Sequence, residues 1–250
     1  MLTQDRHTHL LTLLRQDGSI VAKTVSQDLG VSEDTIRRDL RALAQAGQLK
    51  RVHGGAVPLA AANAPFDART SIATPEKAAI GRVAAGLIEP GQTVFLDGGT
   101  TAVQVVAHLP PGLRATVITH SPNVAVALMA HEGVQVEIVG GRLLRHSVVT
   151  SGAATVAWLA RYRPDLCLIG ATGLHPGQGI TTGESEEAEV KRAIIARSGA
   201  AMILASSEKL GAVAAFEIAT WRDIDGVVTA PETAAHARAL LSATGCAIHA

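Results

Sequence analysis

From Pro75 onward the chain alternates short apolar runs with helical ones, and no other feature narrows its possible folds as much. The apolar runs are "QTVFLD", "ATVIT", "VQVEIVGG", "DLCLIGA" (165–171), "AAMILAS" (200–206) and "IDGVVTA" (224–230). Between and around them lie helical patterns: "EKAAIGRVAAGLI" (76–88), "TTAVQVVAHL", "PNVAVALMA", "AATVAWLARY" (153–162), "EEAEVKRAIIARS" (186–198) and "ETAAHARALLSA" (232–243). Short buried strands separated by helices predict an α/β fold with a mostly parallel sheet covered on both faces. In such a sheet, ligands sit just beyond the carboxyl ends of the strands. The length of 250 residues suits one large domain or two smaller ones, and 47% hydrophobic against 18% charged residues excludes a disordered chain. The start "MLTQDRHTHL" has no basic-then-apolar leader pattern, and no apolar run reaches the roughly 20 residues of a bilayer span. Cys167 and Cys246 form no CxxC pair. Together these features predict a reduced, cytoplasmic protein.

The residues before this alternation read differently. Residues 4–16 place Leu10, Leu11 and Leu14 on one helical stripe, and Val25 and Leu29 give a short second helix. A third helix runs over 32–47, with Ser32 as N-cap, Glu33 and Asp34 at its positive end and Gly47 just past its end. Ile36, Leu40 and Leu43 form its inward face, which leaves Thr35, Arg37, Arg38 and Arg41 outward. A short helix, a three-residue turn and a capped, arginine-bearing helix make a helix-turn-helix, whose second helix enters the major groove of duplex DNA. "QLKRVHGGAV" (48–57) adds a hairpin wing in which Lys50, Arg51 and His53 face the DNA backbone. Net charge is zero overall, but residues 1–57 hold eight Lys/Arg against six Asp/Glu, giving +2, while the remainder holds fourteen against sixteen, giving −2. No Phe, Tyr or Trp precedes Phe66, which argues against base stacking on single strands. The expected domains are therefore 1–57 for DNA binding, a linker over 58–74 and a ligand-binding domain over 75–250.

Loops at the predicted strand ends carry the groups that hold oxyanions. "DGGTT" (Asp97, Gly98, Gly99, Thr100, Thr101) follows a strand and opens a helix, so its amides and hydroxyls converge. Thr119, His120 and Ser121 repeat the arrangement one unit later, "GATGLHPGQGITT" (170–182) reads as a glycine-rich loop, and "SSEKLG" supplies Lys209. Together they point to a phosphorylated polar ligand. Glu187 and Lys191 stand at i, i+4, a spacing that also fits a surface ion pair. The ten histidines are dispersed, so neither a metal site nor another cofactor is expected.

These motifs resemble one family. "VSEDTIRRDLRALAQAGQLKRVHGGA" resembles the winged helix-turn-helix of DeoR-family regulators, with a specific T-[IV]-R-R-D-L core. "DGGTT", "THSP", "VGG", "GATG", "GITT", "EEAEVKRA" and "SEKLG" resemble the family's sensor domain, and the likeness covers roughly residues 3–240. It implies a sensor similar in fold to ribose-5-phosphate isomerase and a repressor of carbohydrate metabolism, acting as a homodimer or homotetramer and released from operator DNA by a phosphorylated sugar. It further implies recognition from Ser32 to about Ala46, and effector binding by Asp97 to Thr101, Thr119 to Ser121, Thr172, Lys191 and Lys209. The chain departs from the family pattern at Thr172, where Asp is common, at Ser206-Ser207-Glu208-Lys209 in place of D-S-S-K, and at His120 in place of Asn. Thr172 cannot supply the carboxylate that isomerase-like enzymes use at this turn. That weighs against the alternative reading, an isomerase-like enzyme with an accessory DNA-binding head. Activation or repression depends on where the operator lies relative to the promoter, and both remain open at this point.

Overall fold

The computed structural model describes residues 2–17, 20–52, 54–58 and 65–250. The N-terminal part runs α1 (Thr3–Asp17), β1 (Ile20–Val21), α2 (Ala22–Asp28), α3 (Glu33–Gln45), β2 (Leu49–Val52) and β3 (Gly55–Pro58). Leu10 and Leu14 of α1, Val25 of α2 and Ile36, Leu40 and Leu43 of α3 pack into one buried cluster, so each helix turns its apolar stripe inward. Ser32 caps α3 by accepting the Thr35 amide at 3.1 Å, and Gly47 leaves the helix in the left-handed region, at φ 66°. The wing β2–β3 is antiparallel, as the sequence predicts, and β1 adds a third strand against β3. At two residues, β1 is too short to show a periodicity. His53 lies outside the described residues.

A buried charge cluster fastens α3 to α1. Arg6 reaches both carboxylate oxygens of Asp39, with Nε donating at 2.5 Å and Nη2 at 3.1 Å, and His7 Nε2 lies 3.1 Å from the same group. Burial opposes the charge on Asp39, but Arg6 and His7 outweigh it and hold the carboxyl below its ordinary range.

The larger part follows, beginning with α4 (Phe66–Arg69), α5 (Thr74–Ala85), β4 (Thr93–Leu96), α6 (Thr100–Ala107), β5 (Ala115–Thr119), α7 (Pro122–Leu128) and β6 (Val134–Ile138). It continues through β7 (Arg142–Leu144), β8 (Val149–Ser151), α8 (Ala153–Leu159), β9 (Leu166–Gly170), β10 (Gly173–His175) and β11 (Gly179–Thr182). It closes with α9 (Ser185–Ile195), β12 (Ala200–Leu204), β13 (Phe216–Ala219), β14 (Gly226–Val228), α10 (Ala234–Leu241) and β15 (Ala247–His249). Seven strands form one sheet in the order β15-β14-β12-β9-β4-β5-β6, and every neighbouring pair is parallel. Successive residues on a strand feed opposite layers. Phe95, Ile118, Ile169 and Ile203 pack into one core, and Val94, Leu96, Val117, Leu168 and Leu204 into the other. Burial on both faces explains why these strands read as unbroken apolar runs.

Three expectations change. Within the expected linker, 59–64 lie outside the described residues, but 66–69 form α4, which is tied down where the Phe66 amide donates to the His146 carbonyl at 2.8 Å. The "GATGLHPGQGITT" stretch is largely strand: β10 and β11 pair as a hairpin and β13 joins them in a small antiparallel sheet. The hairpin β7–β8 and the edge strand β15 add to the expected elements. Strands of three or four residues containing Gly, Arg or Thr give no alternation long enough to read.

Candidate effector cleft and nucleic-acid interface

The four loops singled out in the sequence leave the carboxyl ends of β12, β9, β4 and β5, which are consecutive neighbours in the sheet. The chain runs outward from β4 through β5 to β6, then returns to place β9 on the other side of β4. β4 and β9 therefore flank a topological switch point, where an open α/β sheet leaves a crevice. Asp97 follows β4 there, and its Oδ2 accepts the Gly170 amide from the end of β9 at 2.8 Å.

Asp97 is buried and organises the floor of the crevice. His120 Nε2 lies 2.7 Å from its Oδ1, and Lys191 Nζ lies 3.0 Å from its Oδ2. Burial disfavours the carboxylate, but Lys191 and His120 overcome this and hold Asp97 well below the usual carboxylate range. Lys191 also donates to the Gly170 carbonyl at 2.7 Å. Glu187 accepts from Ser147 Oγ, from Thr182 Oγ1 at 3.1 Å, and lies 3.9 Å from Lys191. The Glu187–Lys191 pair is thus an internal one, and the surface-pair reading is corrected: both residues are buried at the cleft.

Above this floor the loop after β4 turns into α6. Gly98 passes so close to β8 that a Cβ there would collide with Val149 Cγ1, and Gly99 takes φ 106°, which disfavours a side chain. The first amides of α6 have no carbonyl a turn earlier to bond, so they face the cleft with the Thr100 and Thr101 side chains beside them. Asp97, Gly98, Gly99, Thr100, Thr101, Thr172, Lys191 and Lys209 all line this one cleft. Burial, reinforced by Arg69, Lys77 and Lys191 and opposed by Glu208, brings Lys209 down to about 8.

Thr119, His120 and Ser121 do not reach the cleft wall. They are fully buried beneath it because β8 folds over their turn: the Thr150 amide donates to the His120 carbonyl at 2.8 Å, and Ser121 Oγ donates to Val148 O. His120 meets the cleft through its contact with Asp97. Arg69, Lys77 and Ser147 also line the cleft without any local sequence signal, and Glu187 and Glu208 join them from motifs whose roles the sequence leaves open. Arg69 and Lys77 precede the first strand of the sheet and arrive only through tertiary packing.

On the N-terminal part, Arg37 and Arg38 are exposed along α3, each paired one turn back, with Glu33 at 2.7 Å and Asp34 at 3.4 Å. Ser32 Oγ and Thr35 Oγ1 lie 2.8 Å apart at the start of that helix, and Arg41 and Arg51 are exposed. Lys50 departs from expectation. Its Nζ donates to the Ala214 carbonyl before β13, so in this arrangement the side chain is seated on the larger domain and not on an open wing face.

Two family models match the chain, a DeoR C terminal sensor domain over residues 72–230 and a DeoR-like helix-turn-helix domain over residues 6–60. The chain belongs to the DeoR family. Relatives of this DeoR-family chain include the HTH-type transcriptional repressor GlcR of Bacillus subtilis, 33% identical over 92% of this chain and 89% of that protein. The glycerol-3-phosphate regulon repressor of Escherichia coli is 31% identical over 92% of this chain and 91% of its own length. Among solved structures, ribose 5-phosphate isomerase A of Methanocaldococcus jannaschii shares 19% identity at a TM-score of 0.38, over 54% of this chain and 53% of that one, a likeness too slight to argue from. The DeoR-family chain is a DNA-binding transcription regulator and not an enzyme, which sets the isomerase alternative aside.

Proposed function

We propose that this regulator represses a carbohydrate-metabolism operon and leaves its operator when a phosphorylated sugar, or a related phosphorylated intermediate, fills the cleft. The observation that carries this reading is the meeting of the Gly98–Thr101 turn with Lys209 at the switch point, where free helix amides and a buried amine face one space. The names of the two relatives, repressors with one of a glycerol-phosphate regulon, agree with it. Ser32, Thr35, Arg37, Arg38, Arg41 and Arg51 are the residues assigned to DNA. The α3 residues read the major groove and Arg51 touches the adjoining backbone. A ligand shifts such a system only by binding the DNA-free arrangement more tightly than the DNA-bound one.

The test is fluorescence anisotropy of the protein on DNA from upstream of its own gene cluster, with sugar phosphates added singly. Release by one phosphate, and not by the sugar lacking it, is expected. Binding that no member of the panel reverses would remove the effector reading.

A further inference from the structure

We propose that Arg69, carried by the segment joining the two domains, is a phosphate ligand of the effector cleft. The inference rests on the sensing role proposed above.

Arg69 ends α4, and its guanidinium reaches over the glycine turn: a Cβ built on Gly99 would lie 3.7 Å from Nη1. Its backbone is held from both sides. Lys77 Nζ donates to the Arg69 carbonyl at 2.6 Å, and the Phe66 amide at the other end of α4 donates to His146 at 2.8 Å. The guanidinium carbon lies 6.0 Å from the centre of the Phe66 ring. Arg69 Nε is buried, and among the described residues none accepts a hydrogen bond from it. A buried donor without a partner is uncommon in a folded chain, and a ligand oxygen entering the cleft would satisfy it. The nearby carboxylates are already engaged, Asp97 with Lys191 and His120, and Glu187 with Ser147 and Thr182. A phosphate seated on the amides of α6 would present its outer oxygens to Arg69, whose planar fork suits two oxygens at once. The consequence is mechanical: a ligand so held fastens to the sensor the same segment that leads back to the wing.

The experiment is titration calorimetry with inorganic phosphate, then with each sugar phosphate of the panel, on wild type, R69A, R69K, R69Q and K209A. A charge-assisted contact of this kind predicts about 10- to 100-fold weaker binding for R69A and R69Q, with part of the affinity restored in R69K. A merely structural role would not separate Lys from Gln, and the Lys/Gln comparison carries the test if R69A does not fold. Equal affinity in wild type, R69Q and R69K, with K209A weakened, overturns the role of Arg69 and leaves the cleft standing. No binding of any phosphate by wild type overturns both.

Discussion

Lys209 turns the geometry of the cleft into a pH dependence. Its amine titrates at about 8 in the folded chain against an ordinary 10.5, because burial and the neighbouring cations disfavour its charge. Below that value the amine is charged and attracts a phosphate; above it the charge is lost. Effector affinity should therefore fall as pH rises through 8, approaching about tenfold per unit, and the dependence should flatten in Lys209→Ala. The unliganded protein moves the other way. Between pH 8 and 10.5 the unfolded chain holds the proton that the folded chain has released, so this group adds stability as pH rises. Calorimetry across the range checks the first effect and thermal denaturation the second. Arg38 is a simpler case: its side chain is 74% exposed and its contact with Asp34 is long, so Arg38→Ala should leave the helix content unchanged in circular dichroism. The same variant should weaken operator binding at least about tenfold by anisotropy. Residues of this type were legible in the sequence because caps, glycine turns and outward arginines are local signals. Arg69 and Lys77 were not legible, since nothing in their own neighbourhood records which strand ends they meet. The spacing of Glu187 and Lys191 was visible, but i, i+4 spacing places two residues on one helix face without saying whether that face is buried.

The recognition helix is positioned by its core and also by a charge. Asp39 faces inward between Arg37, Arg38 and Arg41, and its bonds to Arg6 and His7 fix α3 against α1. Asp39→Ala leaves Arg6 without its partner, a change expected to cost about 1–3 kcal/mol. Hydrogen exchange should show α1 and α3 opening faster in that variant while β4 and β9 keep their protection. In the wild type the same contribution is present above the unfolded carboxyl value of about 3.9 and is lost as pH falls through the lower folded one, so the N-terminal domain should loosen early in acid. Long elements with strong periodicity, α3, α9 and the five-residue strands, could be read from sequence. The hairpins β7–β8 and β10–β11 could not. Their pairing is decided by what they cover: β8 closes the turn at His120, and Thr181 of β11 donates its hydroxyl to the Gly173 carbonyl of β10 at 3.2 Å.

For the molecule as a whole, one N-terminal domain of this size contacts little DNA for operator affinities on the order of 10⁻⁸ M or tighter, so we predict that two or more chains bind one operator together. Sedimentation with a short operator fragment should show an even number of chains per duplex, and a fragment carrying one half-site should bind far more weakly. A single chain per duplex at full affinity would refute this. The N-terminal core is a self-contained cluster built from α1, α2, α3 and the wing strands, and the two sensor cores draw on none of its residues. Lys50 meeting Ala214 is a contact through a main-chain carbonyl, which any residue at 214 except a chain break would offer equally. Address and receiver are thus written in separate stretches of the chain. On the proposed function, a lineage, or an engineer, should be able to re-aim this regulator at a new promoter by rewriting the outer face of one thirteen-residue helix, Glu33–Gln45, while leaving the sensor domain as it is.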